Sequence, residues 1–541
     1  MFINFSDIPG SSNLFLDYMY EFENVKQFYK LNFRDEDSYP NVFESITKRD
    51  SSLRKNISEV IENQYSLNSP SEKTKENIAI LKNKSTIAIL TGQQLGLAGG
   101  PLYTVYKIFT AIKLSEYLKE KFSDYNFVPI FWLAGDDHDI EEISELKLVS
   151  KDNLLNTIEY DFDKDEKAIR HSVGNLQIDT SIKDFYSEIK ESLRETEFSK
   201  ELYNLLDGVL TNDKTFTESF QTLLFKIFDE TGLIIFNPQD VEVKRLLKPI
   251  FIKELNNYNE HSKSVLSVSA NLEENYQTQV KVKPINLFMS DESGRRLIEP
   301  VENGFRLKGK RTIISKDEML KFVDEHPANF SGNVLLRPIS QDYLFPTGFY
   351  VAGPGEINYF AQAIPLYKHF NVQQPYIYPR SSATIIEGNI SKILVKNNLG
   401  IKEMFLGNDE LNSKIIHNIS QENVETIFEE FTDSIKDNLS SLSEKLNLVD
   451  RTLGNVSENS KNKIIHQLDT LKTKAKKLEE HKYDVALRQM DKAKNNLYPN
   501  NNLQERELSV LNFINKYGLD FFDWLYNELE INEFEHQILE L

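Results

Sequence analysis

Two stretches of the chain lack the alternation of a half-buried strand. Thr86 to Leu90 is apolar and β-prone, and Phe127 to Ala134 is apolar on both faces. Strands buried inside a parallel sheet read this way. Between them, Pro101 is followed by Leu102, Val105, Tyr106, Phe109, Ile112 and Leu118, the spacing of a helix with proline in its first turn. Thr91-Gly92-Gln93-Gln94-Leu95-Gly96-Leu97-Ala98-Gly99-Gly100 joins strand to helix. The pattern from Thr86 to Ile143 therefore predicts a βαβ unit with a right-handed crossover. Two more strand-to-helix transitions follow. Leu233 to Phe236 leads through Asn237-Pro238-Gln239-Asp240 into a helix expected to end near Phe251. Phe349 to Ala352 leads through Gly353-Pro354-Gly355-Glu356 into a helix running past Tyr359. Residues 280 to 320 alternate like antiparallel strands and read as an insertion. A last strand is expected through Ile386. Alternating β and α elements predict a doubly wound α/β core with inserted segments.

The flanks are polar and helical. Residues 1 to 84 read as helices punctuated by loops. From about Gln421, Val424, Ile427, Phe431, Ile435, Leu439, Leu442 and Leu446 mark one amphipathic helix. Ile464, Leu468, Leu471, Ala475, Leu478 and Val485 mark a second with heptad steps, interrupted by Lys482. With Gly454-Asn455 as the turn, they predict an α-helical antiparallel coiled-coil hairpin of about 30 residues per arm. An apolar outer stripe on such a hairpin would self-associate. Phe513, Tyr517, Phe521, Phe522 and Trp524 return aromatic character to the tail, which is expected to dock on the core. The expected division is a catalytic core over 1–388, a coiled coil over 389–502 and a docking segment over 503–541.

Composition narrows the function classes. A chain of 541 residues exceeds one compact core. With 35 Phe and 24 Tyr it can fill large cores. A formal charge of −20 repels phosphate backbones and anionic lipids, so neither nucleic acid nor membrane is an expected partner. Cysteine is absent, which removes disulfides, thiolate nucleophiles and Cys-based metal sites. No secretory signal or membrane-length apolar run is visible, so the expected location is cytoplasmic.

Four places can carry chemistry. The loop from Gly92 to Gly100, with Gln93, Gln94 and Gly99, brings backbone N–H groups to a helix start, where an anion is favoured. Tyr103, Thr104 and Lys107 lie in the first turns of that helix. It matches neither the P-loop nor the G-x-G-x-x-G pattern, and a tight strand-to-helix turn explains the glycines equally well. Gly135-Asp136-Asp137-His138-Asp139 follows a buried strand at the carboxyl end, where open α/β sheets bind ligands. Asp137 and His138 are the candidate catalytic pair; Asp136 and Asp139 fit an acidic helix start. Gly353, Gly355 and Glu356 begin another helix at the same end of the sheet, either facing a ligand or capping the helix. Arg337 and Arg380, the latter with Ser381 and Ser382, are candidate anion partners, although an isolated arginine is more often a surface ion pair. His369, His417, His466 and His481 read as solvated or packing residues. No metal-ligand pattern is present.

In combination, Thr91-Gly92-Gln93-Gln94-x-Gly96-x-x-Gly99-Gly100-Pro101-Leu102-Tyr103-Thr104, Phe131-Trp132-x-Ala134-Gly135-x-Asp137-His138-Asp139 and Gly353-Pro354-Gly355-Glu356-Ile357-x-Tyr359 resemble the bacillithiol-biosynthesis cysteine-adding enzymes. The resemblance extends to Pro379-Arg380-x-Ser382, the hairpin and Leu503-Gln504-Glu505-Arg506, nearly the whole chain. It implies a Rossmann-like core of nucleotidylyl-transferase type, inserted segments and a coiled coil that makes a homodimer. It implies a ligase that joins cysteine to glucosaminyl-malate in the last step of bacillithiol synthesis. Gly135-x-Asp137-His138 also matches the spacing of a class I aminoacyl-tRNA synthetase motif. Gly99 to Thr104 lacks that group's ATP-binding histidines, so ATP stands as the candidate activator only. On this reading the Gly92 to Gly100 loop binds phosphate or carboxylate oxygens and Asp137 or His138 positions or deprotonates the amine. Arg337, Arg380 or Lys107 meets the malate carboxylates. The competing readings are a non-catalytic nucleotide-fold and coiled-coil interaction protein, and a different adenylate-forming ligase.

Overall fold

The computed structural model describes residues 1–49, 52–66, 69–137, 140–162, 171–419 and 424–541. The chain divides into two compact units, one of residues 1–384 and 504–539 and one of 385–503 and 540–541.

The first unit is built on the predicted βαβ element. Strand β1 (Thr86–Gln94) leads through the glycine loop into α1 (Tyr103–Lys121) and β2 (Asn126–Ala134). Pro101 lies just ahead of the helix rather than inside it. Its carbonyl accepts from Thr104 N at 3.0 Å, and Pro101 itself forms a bridge with Ser509. Next come β3 (Ile234–Phe236) and α2 (Val241–Glu273). Helix α2 does not stop near Phe251 as expected. It carries Pro249 in its interior and continues for 33 residues, because Leu255, His261, Val265 and Leu272 stay buried beyond the proline. The inserted strands β4 (Leu287–Asp291), β5 (Gly294–Val301), β6 (Gly304–Leu307) and β7 (Phe330–Gly332) form an antiparallel sheet of order β7-β4-β5-β6. After it come α3 (Leu336–Leu344), β8 (Thr347–Ala352), α4 (Pro354–Phe370) and β9 (Tyr376–Pro379).

The core sheet is parallel throughout, with order β9-β8-β1-β2-β3. The chain steps outward from β1 to β2 and β3, then returns to the other side of β1 for β8 and β9. A crevice therefore opens between the carboxyl ends of β1 and β8, at the topological switch point. The helices before residue 81 cover this sheet with aromatic residues. Tyr39 meets Phe349 and Tyr376 with ring centroids 4.8 and 4.6 Å apart, and Tyr18 donates to the Ile377 carbonyl at 2.5 Å. The tail returns to this unit, where Leu102 N donates to the Leu508 carbonyl at 2.9 Å and Phe2 pairs with Gln537. No described helix is long and apolar enough to cross a membrane.

In the second unit, α5 (Val424–Val449) and α6 (Arg451–Leu497) make the hairpin. The turn is at Asp450, not at Gly454-Asn455. The Asp450 carboxylate accepts from Thr452 N at 2.7 Å and starts α6 ahead of the glycine. Gly454 lies within α6, where a β-carbon would collide with the Asn447 side chain. The heptad positions also divide. Leu468 and Ala475 are partly covered, whereas Ile464, Leu471, Leu478 and Val485 are 40, 56, 68 and 37% exposed at seven-residue spacing.

Candidate functional site

The switch-point crevice holds a cavity of about 320 Å³. Strand β1 supplies Gly92, Gln93 and Gln94, and α1 supplies Tyr103 and Lys107. Helix α3 supplies Arg337, the start of α4 supplies Gly353, Gly355 and Glu356, and the end of β9 supplies Arg380. Among the described residues, the wall thus carries Lys107, Arg337, Arg380 and the exposed Arg506 against the carboxylate of Glu356. Its aromatic part is Trp132, Tyr103, Tyr350 and Tyr359.

Gly92 lets β1 and β2 close at this point, because a β-carbon there would lie 2.8 Å from the Trp132 carbonyl. Lys107, on α1, is buried against this part of β1. Its ammonium, 3% exposed, donates to the Gly92 carbonyl at 2.8 Å and Gln93 Oε1 at 3.0 Å and pairs with Glu356 at 2.5 Å. Burial pulls the lysine below its ordinary range, and Glu356 opposes that pull. Glu356 also accepts from Tyr350 Oη at 3.0 Å and from Gly353 N at 2.8 Å, so it caps its own helix.

These contacts change the expected roles of the glycine segments. Gly99 and Gly100 have φ of +100° and +67°, and their N–H groups return to the Gly96 and Leu97 carbonyls at 3.2 Å each. Those donors are used in closing the turn, so neither they nor Gly353 N is directed at an anion. The cationic groups of the wall are side chains. Gly99 and Thr104 do not line the main cavity. Thr104 is buried, with no hydrogen-bond partner for its hydroxyl. Gly100 lines an adjoining cavity of about 360 Å³ beside Glu145, Lys147 and Glu507, and the two cavities share Gln93, Gln94, Tyr103 and Arg506.

Asp137 stands behind the cavity wall rather than in it. Its Oδ2 accepts from Arg337 at 3.1 Å and from Gln94 Nε2 at 3.3 Å, and Arg295 Nη1 lies 3.9 Å from Oδ1. Burial works against the Arg337 charge, but Asp137 and then Tyr359, Tyr350 and Glu356 hold its pKa above the ordinary value. A carboxylate holding two wall residues in this way is placed to orient them. His138 lies outside the described residues.

Ser382 supports the site from behind. Arg380 Nη2 donates to Glu505 Oε1 at 2.5 Å, while Glu505 Oε2 accepts from Ser382 Oγ and Ala383 N, each at 2.9 Å. Burial raises the Glu505 pKa, yet Arg380 first, then His536 and the Ala383 N–H, hold it below the ordinary range. His536 completes the cluster, with Nδ1 2.7 Å from Ser382 Oγ and Nε2 2.9 Å from Thr384 Oγ1.

Several wall residues escaped the sequence reading. Gln341 follows Arg337 by one helical turn, a spacing that would have suggested it. Tyr350 lies in a run read only as a strand, and Arg295, which stands behind the wall rather than in it, lies in the insertion with no local signal. The side-chain oxygens of Gln94 and Gln341 are buried acceptors without a partner, suited to a ligand that brings N–H or O–H groups. Among the described residues no group of three or more His, Asp or Glu is placed to hold a metal ion.

The sequence matches two family models end to end. They are the bacillithiol biosynthesis BshC N-terminal Rossmann-like domain over residues 1–381 and the BshC C-terminal coiled-coil domain over 383–541. Relatives that carry the name "Putative cysteine ligase BshC" include those of Salinibacter ruber, 31% identical, and Chloroherpeton thalassium, 34% identical. Those alignments cover 97 and 98% of this chain and 96% of each relative. A Bacillus cereus relative of the same name is 29% identical over 87% of both chains. A Rossmann-like core with its cationic switch-point cavity, a coiled-coil hairpin and matches over nearly every residue place the chain in the BshC family of bacillithiol biosynthesis.

Proposed function

We propose that this protein is a cysteine ligase that forms an amide between the cysteine carboxylate and the amine of glucosaminyl-malate, the last step of bacillithiol synthesis. The observation that carries the reading is the switch-point cavity, with Lys107, Arg337, Arg380 and Arg506 in its wall. Malate brings two carboxylates, and guanidinium forks bind carboxylates with geometric specificity. The unpartnered oxygens of Gln94 and Gln341 suit the hydroxyls and amine of the glucosamine part. Two adjoining cavities with a shared wall suit a reaction that joins two small molecules.

A carboxylate is a poor acyl donor, so one of its oxygens must leave with an activating group while the amine loses a proton. ATP is the proposed activating co-substrate. Because the Gly99 and Gly100 donors close their own loop, its phosphates would meet cationic side chains instead. Asp137 is assigned to orienting Arg337 and Gln94, and His138 is the proposed proton acceptor. The exposed stripe of Ile464, Leu471, Leu478 and Val485 is proposed to pair with a second copy in a homodimer.

The test is turnover. Purified full-length protein is incubated with glucosaminyl-malate, cysteine and ATP, and bacillithiol and nucleotide products are followed by mass spectrometry. Bacillithiol formation lost in His138→Ala supports the reading. No bacillithiol under any nucleotide condition, with normal thiol levels in a deletion strain, contradicts it. Product without nucleotide turnover removes ATP alone.

A further inference from the structure

Among the described residues, the antiparallel sheet inserted between α2 and α3 meets the cavity through residues behind its wall. Arg295, on β5, is 6% exposed. Its guanidinium carbon lies over the Phe288 ring, 3.8 Å from the centroid, and it donates from Nε to Ser331 Oγ at 2.9 Å and from Nη2 to the Gly332 carbonyl at 3.1 Å. All of these partners belong to the inserted sheet. Nη1 lies 3.9 Å from Asp137 Oδ1, an ion-pair distance. Burial pulls Arg295 below the ordinary arginine range, with Asp137 and then Asp136 opposing.

A second line of contacts ends on the same wall. Glu254 of α2 is fully buried and accepts from Asn286 N at 2.7 Å, Asn286 Nδ2 at 3.0 Å and His261 Nδ1 at 2.6 Å. Asn286 Oδ1 accepts from Asn333 Nδ2 at 2.8 Å. Asn333 Oδ1 accepts from Leu335 N and Leu336 N at 3.0 Å each, and its carbonyl accepts from Arg337 N at 2.9 Å. This fixes the start of the helix that carries Arg337. The Arg337 backbone is thus held from one side and its guanidinium, through Asp137, from the other.

We infer that the inserted sheet is a positioning element for the cavity and Arg295 its positioning residue: Arg295 fixes Asp137, and Asp137 fixes Arg337 and Gln94 in the wall. Arg337 and Gln94 both hold Oδ2 of Asp137. A further guanidinium beside Oδ1, itself clamped to a sheet, restrains rotation of the carboxylate from the other side. Small displacements of a substrate-orienting group change binding and turnover steeply. The inserted sheet thereby links its own packing to the orientation of a cavity cation, although its strands do not line the cavity.

The inference rests on the proposed acceptor only for the ligand used as probe. The test is Arg295→Met, with Arg295→Lys as the milder variant, in the full-length protein. Crystal structures give the positions of Arg337 and Gln94, and calorimetry gives the affinity for glucosaminyl-malate. In Arg295→Met the Arg337 guanidinium and the Gln94 amide leave Asp137, and the dissociation constant rises on the order of 10-fold. The KM for cysteine stays at the wild-type value, and Arg295→Lys recovers part of the loss. Adding Asp137→Asn to Arg295→Met costs little more, because both changes break one chain of contacts. Unmoved Arg337 and Gln94, or additive losses, or a variant that is less stable but binds normally, would overturn it. If Arg295→Met does not fold, Arg295→Lys carries the same comparison. If the wild type does not bind glucosaminyl-malate, the substrate reading fails, and the crystallographic positions still decide the positioning role.

Discussion

Replacing His536 with glutamine should flatten the acid limb of the stability curve. The ring is fully buried, and its tautomer follows from its neighbours. The Ser382 hydroxyl has one proton and gives it to Glu505, so Ser382 Oγ accepts from Nδ1–H, and Nε2 accepts the Thr384 hydroxyl proton. The neutral imidazole therefore satisfies both hydroxyls. Burial, opposed by Glu505 and reinforced by Arg380, pushes His536 from 6.5 down to about 4. Between these values the unfolded chain takes up a proton that the folded chain refuses, so stability falls as pH falls. One pH unit corresponds to about 1.4 kcal/mol, which makes the loss about 2 kcal/mol at pH 5 and about 3 kcal/mol at pH 4. Above pH 6.5 the group contributes no slope, and below about 4 it adds no further loss. His536→Gln keeps a donor and an acceptor but does not titrate. Urea unfolding of the two proteins, followed by circular dichroism from pH 7.5 to 4, isolates the histidine because every other group is shared. Parallel curves for wild type and variant would refute the reasoning.

Other consequences can be checked separately. Lys107→Met leaves the Glu356 carboxylate without its buried cation and should cost about 3 kcal/mol in urea unfolding, with much of the loss recovered by adding Glu356→Gln. Arg337→Met should weaken the acceptor by about 2–5 kcal/mol in the ratio of kcat/KM values, leaving the KM for cysteine unchanged; an equal effect on both substrates would argue against a carboxylate partner. Leu471→Glu combined with Leu478→Glu should halve the mass measured by sedimentation equilibrium without lowering the thermal midpoint, and an unchanged mass would remove the stripe as the dimer contact.

The core was legible because its strands are buried on both faces. Runs such as Phe127 to Ala134 admit little else, and the glycine loop between two such runs marks the crossover. Helix ends were less legible, because they depend on contacts made elsewhere. Pro249 reads locally as a stop, yet later residues of α2 are held by burial. Gly454 reads as a turn, yet Asp450 caps the helix ahead of it. In the site, the motif residues Gly92, Gln93, Gln94, Tyr103, Lys107, Gly353, Gly355, Glu356 and Arg380 converge on the cavity with Arg337. Their division of labour was hidden. Whether a glycine N–H is available or used inside its own turn is a matter of φ angles, which spacing does not report. Arg295 was invisible for a similar reason. It acts across nearly 160 positions of chain, through a sheet whose alternating pattern reveals strands but not which charged residue turns inward.

The most direct measurement is a crystal structure of the full-length protein with glucosaminyl-malate bound. The malate carboxylates are expected within hydrogen-bonding distance of Arg337 and of at least one of Arg380, Arg506 and Lys107, in the crevice between β1 and β8, with a sugar donor on Gln94 or Gln341. Malate bound elsewhere, or a crevice that stays closed to it at saturating ligand, would contradict the account.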